Sequence, residues 1–375
     1  MEQQQAQQQQ SAQQQQQPPS SILTSRIYPE QSDQHNFQLQ FEHPLRYLVN
    51  KLALIPAPER YSFKEISKDV IPSHLNQLVL DLREENKRAE ALKQLSSLKE
   101  CSPYDKFMGP LLWYSAGTMS LLVEEIVSAY PFIDTPQPSG NTFQYAVDAL
   151  TCLQTIALNA ETCHPFVFSR IPFLTIPFLR SEQTTKEIVK LKERSMWLFT
   201  CIVQRLDYEL TCLLLDNEIL RYCRQLIREE PEEPLLPIAI ALYYIVSVFD
   251  VANVSNKEAK FDQLKDIFIE IISDINRKTP SLNIGNESED RRIRYFLKFF
   301  IKCLEKPKLA EHLRGKGLPV EFVCIEGRFN KFFQNPENHR RCSETFKTFS
   351  ILNLRLTGTP HGVKKDDPAL KNLMQ

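Results

Sequence analysis

Residues 109–118 read GPLLWYSAGT and run directly into MSLLVEEIVSAYP at residues 119–131. Apolar residues recur there every three or four positions, which predicts one amphipathic helix with an unusual entry. Three later segments repeat this layout. The combination predicts a protein of stacked helical repeats, a class that usually holds other molecules rather than transforming them.

The repeats share an order of elements: a long apolar helix, an acidic or Asn break, a short helix and an apolar step. Long apolar stretches cover residues 149–158, 196–205 and 296–304, and their breaks fall at Asn159, Asp207 and residues 305–307. The first two blocks are spaced roughly 45–50 residues apart, within reach of the ~40–47 residues of armadillo and HEAT repeats. Each block leaves an apolar face that only a neighbouring block can cover. The pattern predicts an all-α fold, an α-solenoid of the armadillo type.

Composition agrees with an all-α fold and limits the function classes. The 375 residues include only 9 Gly but 24 Pro, which disfavours phosphate-binding loops and tight hairpins and supplies helix breaks. The formal net charge of −1 provides no overall attraction to nucleic acid or anionic lipid, so any basic surface must be local. The 9 Cys contain no C-x-x-C pair and predict buried, reduced thiols.

No arrangement of residues indicates catalysis, a metal site or a cofactor. Cys163 and His164 are adjacent, but no third ligand or orienting acid stands at a useful spacing. Glu124 and Glu125 are neighbours and cannot both face one substrate across a cleft. Kinase, P-loop and hydrolase motifs do not occur. We therefore expect a protein that is not an enzyme and needs neither metal nor cofactor.

The chain divides into four predicted regions. Residues 1–20 form a Gln-rich tail with too little apolar surface to order itself. Residues 21–74 form an extension that is partly helical or disordered. The armadillo-repeat domain is expected at residues 75–357, and residues 358–375 form a C-terminal tail.

Two further stretches carry expectations about the surface. Residues 277–290 are polar and predict an exposed loop between two late repeats. The longest uncharged run, residues 235–249, is shorter than the ~20 residues of a membrane span, so it predicts a buried helix and no membrane contact. The N-terminus lacks the charged and apolar regions of a signal peptide.

Three ordered passages carry a family resemblance. The first is PLLWYSAGT at residues 110–118, followed by EIV and YP, where the family has a similar P-x-L-W-x-S-x-G-T that leads to E-I-V-x-x-Y-P. The second joins Ala149-Leu150, Leu153-Gln154, Glu161-Thr162 and Ile171-Pro172, and ends in Pro177-Phe178-Leu179. The third is residues 291–319. Together they make the chain resemble the Rcd ("required for cell differentiation") family, the armadillo-repeat subunit of the CCR-NOT deadenylase complex, over roughly residues 75–355.

This resemblance implies a right-handed superhelix of about six armadillo repeats without catalytic activity. It implies docking on the Not scaffold subunit and recruitment of peptides of RNA-binding regulators, or of RNA itself, for mRNA deadenylation, decay and translational repression. The expected location is the cytoplasm, including P-bodies, and the nucleus, and homodimerisation stays open. The alternative is an armadillo peptide-binding adaptor of another class, for cargo or signalling. Import receptors of that class present repeated Trp/Asn pairs, whereas neither of the 2 Trp here precedes Asn.

The resemblance also implies a peptide groove. Trp113, one turn into the helix, is expected in the core. Trp197 stands where the family has a small Gly on the helix that lines the groove, and Lys190-Leu191-Lys192 matches the family's Tyr-Leu-Arg. The groove residues that we predict are Tyr114, Ser115, Thr118, Lys190, Lys192, Trp197 and Ile238. Residues 251–261 match poorly, so a tryptophan-accepting pocket there is an open question.

A basic stripe is the second predicted surface. Arg291, Arg294, Lys298 and Lys302 follow one another at spacings of 3, 4 and 4, which places them on one face of a helix whose opposite face is apolar. Such a row is often only a solvated face. The family carries basic residues at the same four positions of its concave surface, so the resemblance implies a site for RNA phosphates or an acidic peptide.

Overall fold

A computed structural model of the protein describes residues 73–98, 105–134, 141–229, 233–249, 256–278, 287–315 and 329–357. All of them belong to the second of two compact units, Phe63–Gln375, into which the chain divides. These residues form helices and turns without a strand. The Gln-rich tail, most of the N-terminal extension and the C-terminal tail lie outside the described residues, so the four predicted regions stay predictions.

The helices, numbered in chain order, are α1 Ser73–Asp81, α2 Glu85–Leu98, α3 Asp105–Tyr114, α4 Thr118–Ser128, α5 Thr142–Leu158, α6 Ala160–Phe168, α7 Ile176–Arg180, α8 Lys186–Val203, α9 Tyr208–Asp216, α10 Ile219–Arg228, α11 Leu235–Val248, α12 Lys257–Lys278, α13 Glu287–Glu305, α14 Pro307–Gly315, α15 Pro336–Arg341 and α16 Ser343–Thr357. Short 3-10 turns cover Tyr130–Phe132 and Ile171–Thr175. Within the part of the chain that the structure describes, no helix combines the length and the apolar character needed to cross a membrane.

The polar residues that break the predicted helices are caps for the helices that follow. Asn159 ends α5, and its side chain accepts hydrogen bonds from the backbone amides of Glu161 at 2.9 Å and Thr162 at 3.3 Å. Asp207 accepts from the amide of Leu210 at 3.0 Å and starts α9 in the same way. A short side-chain oxygen at this position satisfies amides that lack a partner inside the helix. The predicted breaks are therefore confirmed.

Residues 109–131 form two helices, so the prediction of one continuous helix is wrong. The amide of Ser115 still bonds to the carbonyl of Leu111 at 3.1 Å, but Gly117 has φ of 78° and the next helix starts at Thr118. Only Gly adopts this left-handed conformation at no steric cost, and a residue in it ends a right-handed helix. The chain therefore turns between α3 and α4.

Several residues in and next to this first motif have structural roles. A Cβ atom on Gly109 would lie 2.7 Å from the backbone carbonyl oxygen of Thr155, so the absence of a side chain lets α3 pack closely on α5. Trp113, which is half-buried, meets the buried ring of Phe166 edge-to-face at 6.0 Å between centroids. Tyr130 donates a hydrogen bond to the carbonyl of Leu174, and burial raises the pKa of its phenol. These contacts join consecutive layers.

Six helices stack in series and form the axis of the described fold: α2, α5, α8, α11, α13 and α16. Each of them packs against the next. In α5 every side chain from Ala146 to Ala157 is buried, because neighbouring helices surround it. Helix α11 is the buried helix predicted from the uncharged run. The serial packing confirms an all-α solenoid and agrees with about six repeats, while the handedness of the superhelix stays a prediction.

Basic side chains link consecutive layers at the helix ends. Nη1 of Arg205, which follows α8, lies 3.5 Å from the carbonyl oxygen of Leu158, the last residue of α5. Nζ of Lys306, which follows α13, donates to the carbonyl of Ser247 at the end of α11 at 3.2 Å. The carbonyls at a helix C-terminus lack partners inside the helix and carry partial negative charge, so a cation from the next layer stabilises them.

Both ends of the polar stretch 277–290 are helical, so the prediction of a loop is wrong there, and residues 279–286 lie outside the described residues. Helix α12 continues to Lys278, and α13 begins at Glu287. Glu287, Glu289 and Asp290 occupy the first turn of α13, where negative charge stabilises the helix N-terminus. Polarity alone predicts a loop at these three residues, whereas their negative charge favours the start of a helix.

Candidate binding surface

The first three predicted groove residues lie at the corner between α3 and α4. Tyr114 ends α3 and is half-buried, as is Ser115 in the turn. Thr118, the first residue of α4, is completely buried. Its hydroxyl oxygen has no hydrogen-bond partner in the structure. The prediction that Thr118 contacts a partner is corrected, because its side chain presents no surface, whereas Tyr114 and Ser115 remain accessible.

The three residues predicted on α8 have different environments. Lys190 is partly exposed and donates to Oε1 of Gln144 at 3.2 Å. The indole nitrogen of Trp197, also partly exposed, donates to Oε1 of Glu193 one turn earlier at 3.2 Å. Lys192 is completely buried, and its ammonium group lies 2.5 Å from the carboxylate of Glu229 at the end of α10. Lys192 is therefore a core ion pair and not a groove contact.

Ile238 is likewise a core residue. It lies in the first half of α11, where it is completely buried among the packed layers. An aliphatic side chain in the middle of a stack stabilises the fold by burial but offers nothing to a ligand. Of the predicted groove residues, Tyr114, Ser115, Lys190 and Trp197 remain accessible.

The basic stripe lies on α13, and nearby acids neutralise part of it. Arg294 pairs with Asp290 at 3.7 Å, and Lys302 pairs with Glu305 at 2.7 Å. Arg291 is exposed, and no carboxylate within ion-pair distance is recorded for it or for Lys298 among the described residues. The four predicted residues do share one helix face. Their positive charge is concentrated at Arg291 and Lys298.

Helix α16 brings one more acid to this surface. The carboxyl of Glu344 has a lowered pKa, mainly because Lys347 hydrogen-bonds to it, and Arg294 and Lys298 contribute through their charge. Glu344 therefore lies within the electrostatic reach of the stripe. A ligand phosphate or carboxylate would compete with it for these cations.

Sequence reasoning missed three tyrosines beside the stripe. The ring of Tyr243 on α11 meets those of Tyr244 and Tyr295 edge-to-face, at 5.1 and 5.8 Å between centroids. The ammonium of Lys298 lies 5.0 Å from the centre of the Tyr295 ring and 6.0 Å from that of Tyr243, within cation–π distance. Burial raises the pKa of Tyr244, and its neighbours Tyr295 and Tyr243 add to the shift. The sequence signal that could have revealed this surface is the pair Tyr243-Tyr244, which interrupts the otherwise aliphatic sequence of α11.

We call Arg291, Lys298, Tyr243, Tyr244 and Tyr295 the aromatic–basic cluster. All five side chains are at least partly exposed, and they come from two adjacent stacked helices. Aromatic faces and unpaired cations side by side can hold planar groups, phosphates or carboxylates. The cluster is the part of the predicted surface with the chemistry best suited to a ligand.

No group of three or more potential metal ligands is found among His, Cys, Asp and Glu of the described residues. Burial raises the pKa of the Cys163 thiol to about 12, which keeps it protonated and unreactive. The exposed His164 points elsewhere, since its ring stacks on Phe168 and its Nε2 lies 3.5 Å from Glu209. Cys163 and His164 thus do not form a nucleophile–base pair.

Comparison with known proteins places this fold in a family. The family described as "Cell differentiation family, Rcd1-like" matches residues 78–348. The cell differentiation protein rcd1 of Schizosaccharomyces pombe is 26% identical over 271 residues, which cover 72% of this chain and 91% of that protein. Protein CAF40 of Saccharomyces cerevisiae is 24% identical over 247 residues, 65% of this chain and 61% of that protein.

Among solved structures, a designed armadillo repeat protein in complex with the peptide (KR)4 is similar at a TM-score of 0.43 and 15% identity, covering 74% of this chain and 100% of that one. The family match extends from within α1 to the first part of α16 and thus includes all or part of every stacked helix. The chain belongs to the Rcd1-like cell differentiation family.

Proposed function

We propose that this protein is a non-catalytic adaptor subunit of the CCR-NOT complex. In this role it docks on the Not scaffold subunit and recruits RNA-regulatory proteins or RNA for mRNA deadenylation, decay and translational repression. The observation that carries the proposal is the family match over residues 78–348, which coincides with the helical stack. The role places the protein in the cytoplasm, including P-bodies, and in the nucleus.

The aromatic–basic cluster is the surface that we propose for recruitment. Arg291 and Lys298 supply positive charge, with no carboxylate of the described residues at ion-pair distance, and the tyrosine rings supply faces for stacking. Stacking of a base on an aromatic ring contributes about 1–3 kcal/mol, and cations follow the phosphate backbone. An acidic peptide with an aromatic residue would use the same groups. Arg294 and Lys302 contribute less, because each already has an acidic partner.

Purification of the tagged full chain from its native cell tests the complex. Mass spectrometry of the co-purifying proteins should identify the large Not scaffold and the deadenylase subunits. Their absence, with the bait folded and abundant, would refute the proposed role and favour an armadillo adaptor of another class. The molecular mass of the purified chain in solution decides whether it forms a homodimer.

Direct binding tests the cluster. Fluorescence anisotropy of a single-stranded RNA oligonucleotide should rise with added protein, and affinity should fall steeply with salt. The double variant Arg291→Glu with Lys298→Glu should weaken binding by at least about tenfold, since it replaces both unpaired cations. The double variant Lys93→Glu with Arg221→Glu is the matched control, because it changes the net charge by the same amount at two exposed residues of α2 and α10, helices that do not carry the cluster. Equal RNA binding by both variants would exclude the cluster as the binding site. If the protein bound an acidic peptide but not RNA, the cluster would be a site for protein ligands.

A further inference from the structure

Two arginines stand shortly before the first residue of α16. Residues 340–343 read RRCS, and nowhere else in the sequence do two adjacent arginines stand at this distance before a Ser or Thr. Arg340 and Arg341 are exposed, and Ser343, which begins α16, is partly exposed. Protein kinases that select basic substrates bind arginines at these two positions in acidic pockets, because Arg is always charged and forms paired hydrogen bonds with carboxylates.

The hydroxyl of Ser343 differs from those that follow it in the next two turns of α16. Thr345 donates to the carboxylate of Asp290 at 2.7 Å. Thr348 and Ser350 donate to backbone carbonyls one turn earlier, at 2.8 and 2.9 Å. Ser343 makes no such bond within the part of the chain that the structure describes. Its oxygen is therefore available to accept a phosphoryl group.

The segment that carries the arginines is held by few contacts. Helix α15 has six residues, Pro336–Arg341, and none of its side chains whose exposure is described is buried. Cys342, which follows, has φ of −111° and ψ of 38°, outside the helical range, so α15 and α16 are separate helices. Of residues 340–343 only Cys342 is buried. A short helix with little buried surface opens locally at low cost, so the arginines can enter a kinase cleft in extended form.

We propose that Ser343 is a phosphorylation site for an arginine-directed serine kinase. In the transfer, the Ser343 oxygen bonds to the γ-phosphorus of Mg²⁺-bound ATP, and the bond from that phosphorus to the oxygen it shares with the β-phosphate breaks. The hydroxyl proton passes to a base of the kinase, and ADP leaves. Lys347 lies four residues later on the same face of α16, so its ammonium is placed to pair with the phosphate.

A phosphate on Ser343 would change the charge beside the aromatic–basic cluster. Glu344, the next residue, lies within the electrostatic reach of Arg294 and Lys298. The bond from Thr345 holds the first turn of α16 against the first turn of α13. Phosphoserine adds a charge of about −1.5 to −2, which opposes the binding of an anion at Lys298 over about 8 Å at physiological salt. This consequence rests on the proposed function, whereas the modification site itself does not.

Incubation of the full chain with the catalytic subunit of cAMP-dependent protein kinase and Mg²⁺-ATP tests the site, with peptide mapping by mass spectrometry as the readout. Phosphate should be incorporated at Ser343 and lost in Ser343→Ala. The double variant Arg340→Gln with Arg341→Gln keeps the hydroxyl and should slow incorporation at least about tenfold. Ser350→Ala is the matched control, since it removes a hydroxyl of the same helix that is already bonded, and it should leave incorporation unchanged.

Three outcomes would overturn the proposal: no phosphate on Ser343 of the folded chain, phosphate on a synthetic peptide of residues 337–348 but not on the folded chain, or an unchanged rate in the double arginine variant. Anisotropy of the RNA oligonucleotide then compares the phosphorylated and unmodified chains, and phosphorylation should weaken binding at least about threefold. Equal affinity of the two forms would refute the link to the cluster. Failure of the unmodified chain to bind RNA would count against the proposed recruitment surface and not against the phosphorylation site.

Discussion

The buried pair of Lys192 and Glu229 provides a sharp test of the structure. The two residues join the stacked helix α8 to the end of α10, with 2.5 Å between ammonium nitrogen and carboxylate oxygen. Lys192 is fully buried, whereas the Glu229 side chain is 20% exposed and also accepts a hydrogen bond from Gln225 at 2.6 Å. Removing Glu229 would leave a charge without contact to water, whereas removing Lys192 would leave a charge that still has water and Gln225. The two variants should therefore lose unequal amounts of stability.

The magnitudes follow from this difference. Glu229→Gln leaves the ammonium of Lys192 buried without a countercharge, which should lower the free energy of unfolding by about 3–5 kcal/mol. Lys192→Met leaves a carboxylate that keeps Gln225 and some water, so the loss should be about 1–2 kcal/mol. The double variant leaves no unpaired charge and should lie within about 1 kcal/mol of the wild type, which makes the coupling energy at least about 3 kcal/mol.

Urea unfolding, followed by circular dichroism and tryptophan fluorescence, measures all four proteins. Lys190→Met is the matched control two residues away and should change stability by less than about 0.5 kcal/mol. The reasoning would be refuted if Glu229→Gln cost less than Lys192→Met, or if the coupling energy were below about 0.5 kcal/mol. If Lys192→Met changed ligand affinity without loss of stability, Lys192 would be a contact residue of the groove and not a core residue.

Three further predictions concern helix packing, capping and thiol chemistry. Gly109→Ala should lower the free energy of unfolding in urea by about 1–3 kcal/mol, because its Cβ would lie 2.7 Å from a backbone oxygen of α5. Gly117→Ala should lower it by about 1 kcal/mol, from its positive φ alone. Equal urea midpoints for the two variants would contradict the packing argument. Asp207→Ala should cost about 1 kcal/mol and speed amide hydrogen exchange in α9, and unchanged exchange would argue against the cap. At pH 8 Cys163, with a pKa of about 12, should resist alkylation while half-exposed Cys212 reacts, as peptide mapping would show; comparable rates would disprove this burial.

Much of the helical layout could be predicted because its causes are local. The break at Asn159 follows from a side chain that caps the helix within three residues, and the core role of α11 follows from its own composition. The turn at Gly117 was missed because a Gly inside a helical pattern is compatible with either outcome. The sequence predicted a later start for α13 than Glu287, because an acidic first turn has the polarity of a loop.

The candidate surface was predicted less well, since it depends on residues far apart in sequence. Lys192 and Glu229 are 37 positions apart, and only their meeting makes Lys192 a core residue. The periodicity of α13 correctly placed four basic residues on one face. Asp290 and Glu305 lie four and three residues from Arg294 and Lys302 on the same helix, so spacing alone could have indicated these pairs, and they were overlooked. Spacing within α13 could not reveal that Tyr243 on another helix lies beside Lys298.

The sequence by itself determined that this protein is an all-α stack of repeats, because caps, breaks and apolar periodicity act within a few residues and recur along the chain. It also carries the motifs, such as PLLWYSAGT at residues 110–118, through which the chain resembles its family. The tertiary structure alone decided which polar and aromatic side chains are accessible. That outcome depends on which helix covers which face, and packing between helices brings together partners such as Lys192 and Glu229. The aromatic–basic cluster exists only because the stacked helices α11 and α13 bring its residues together.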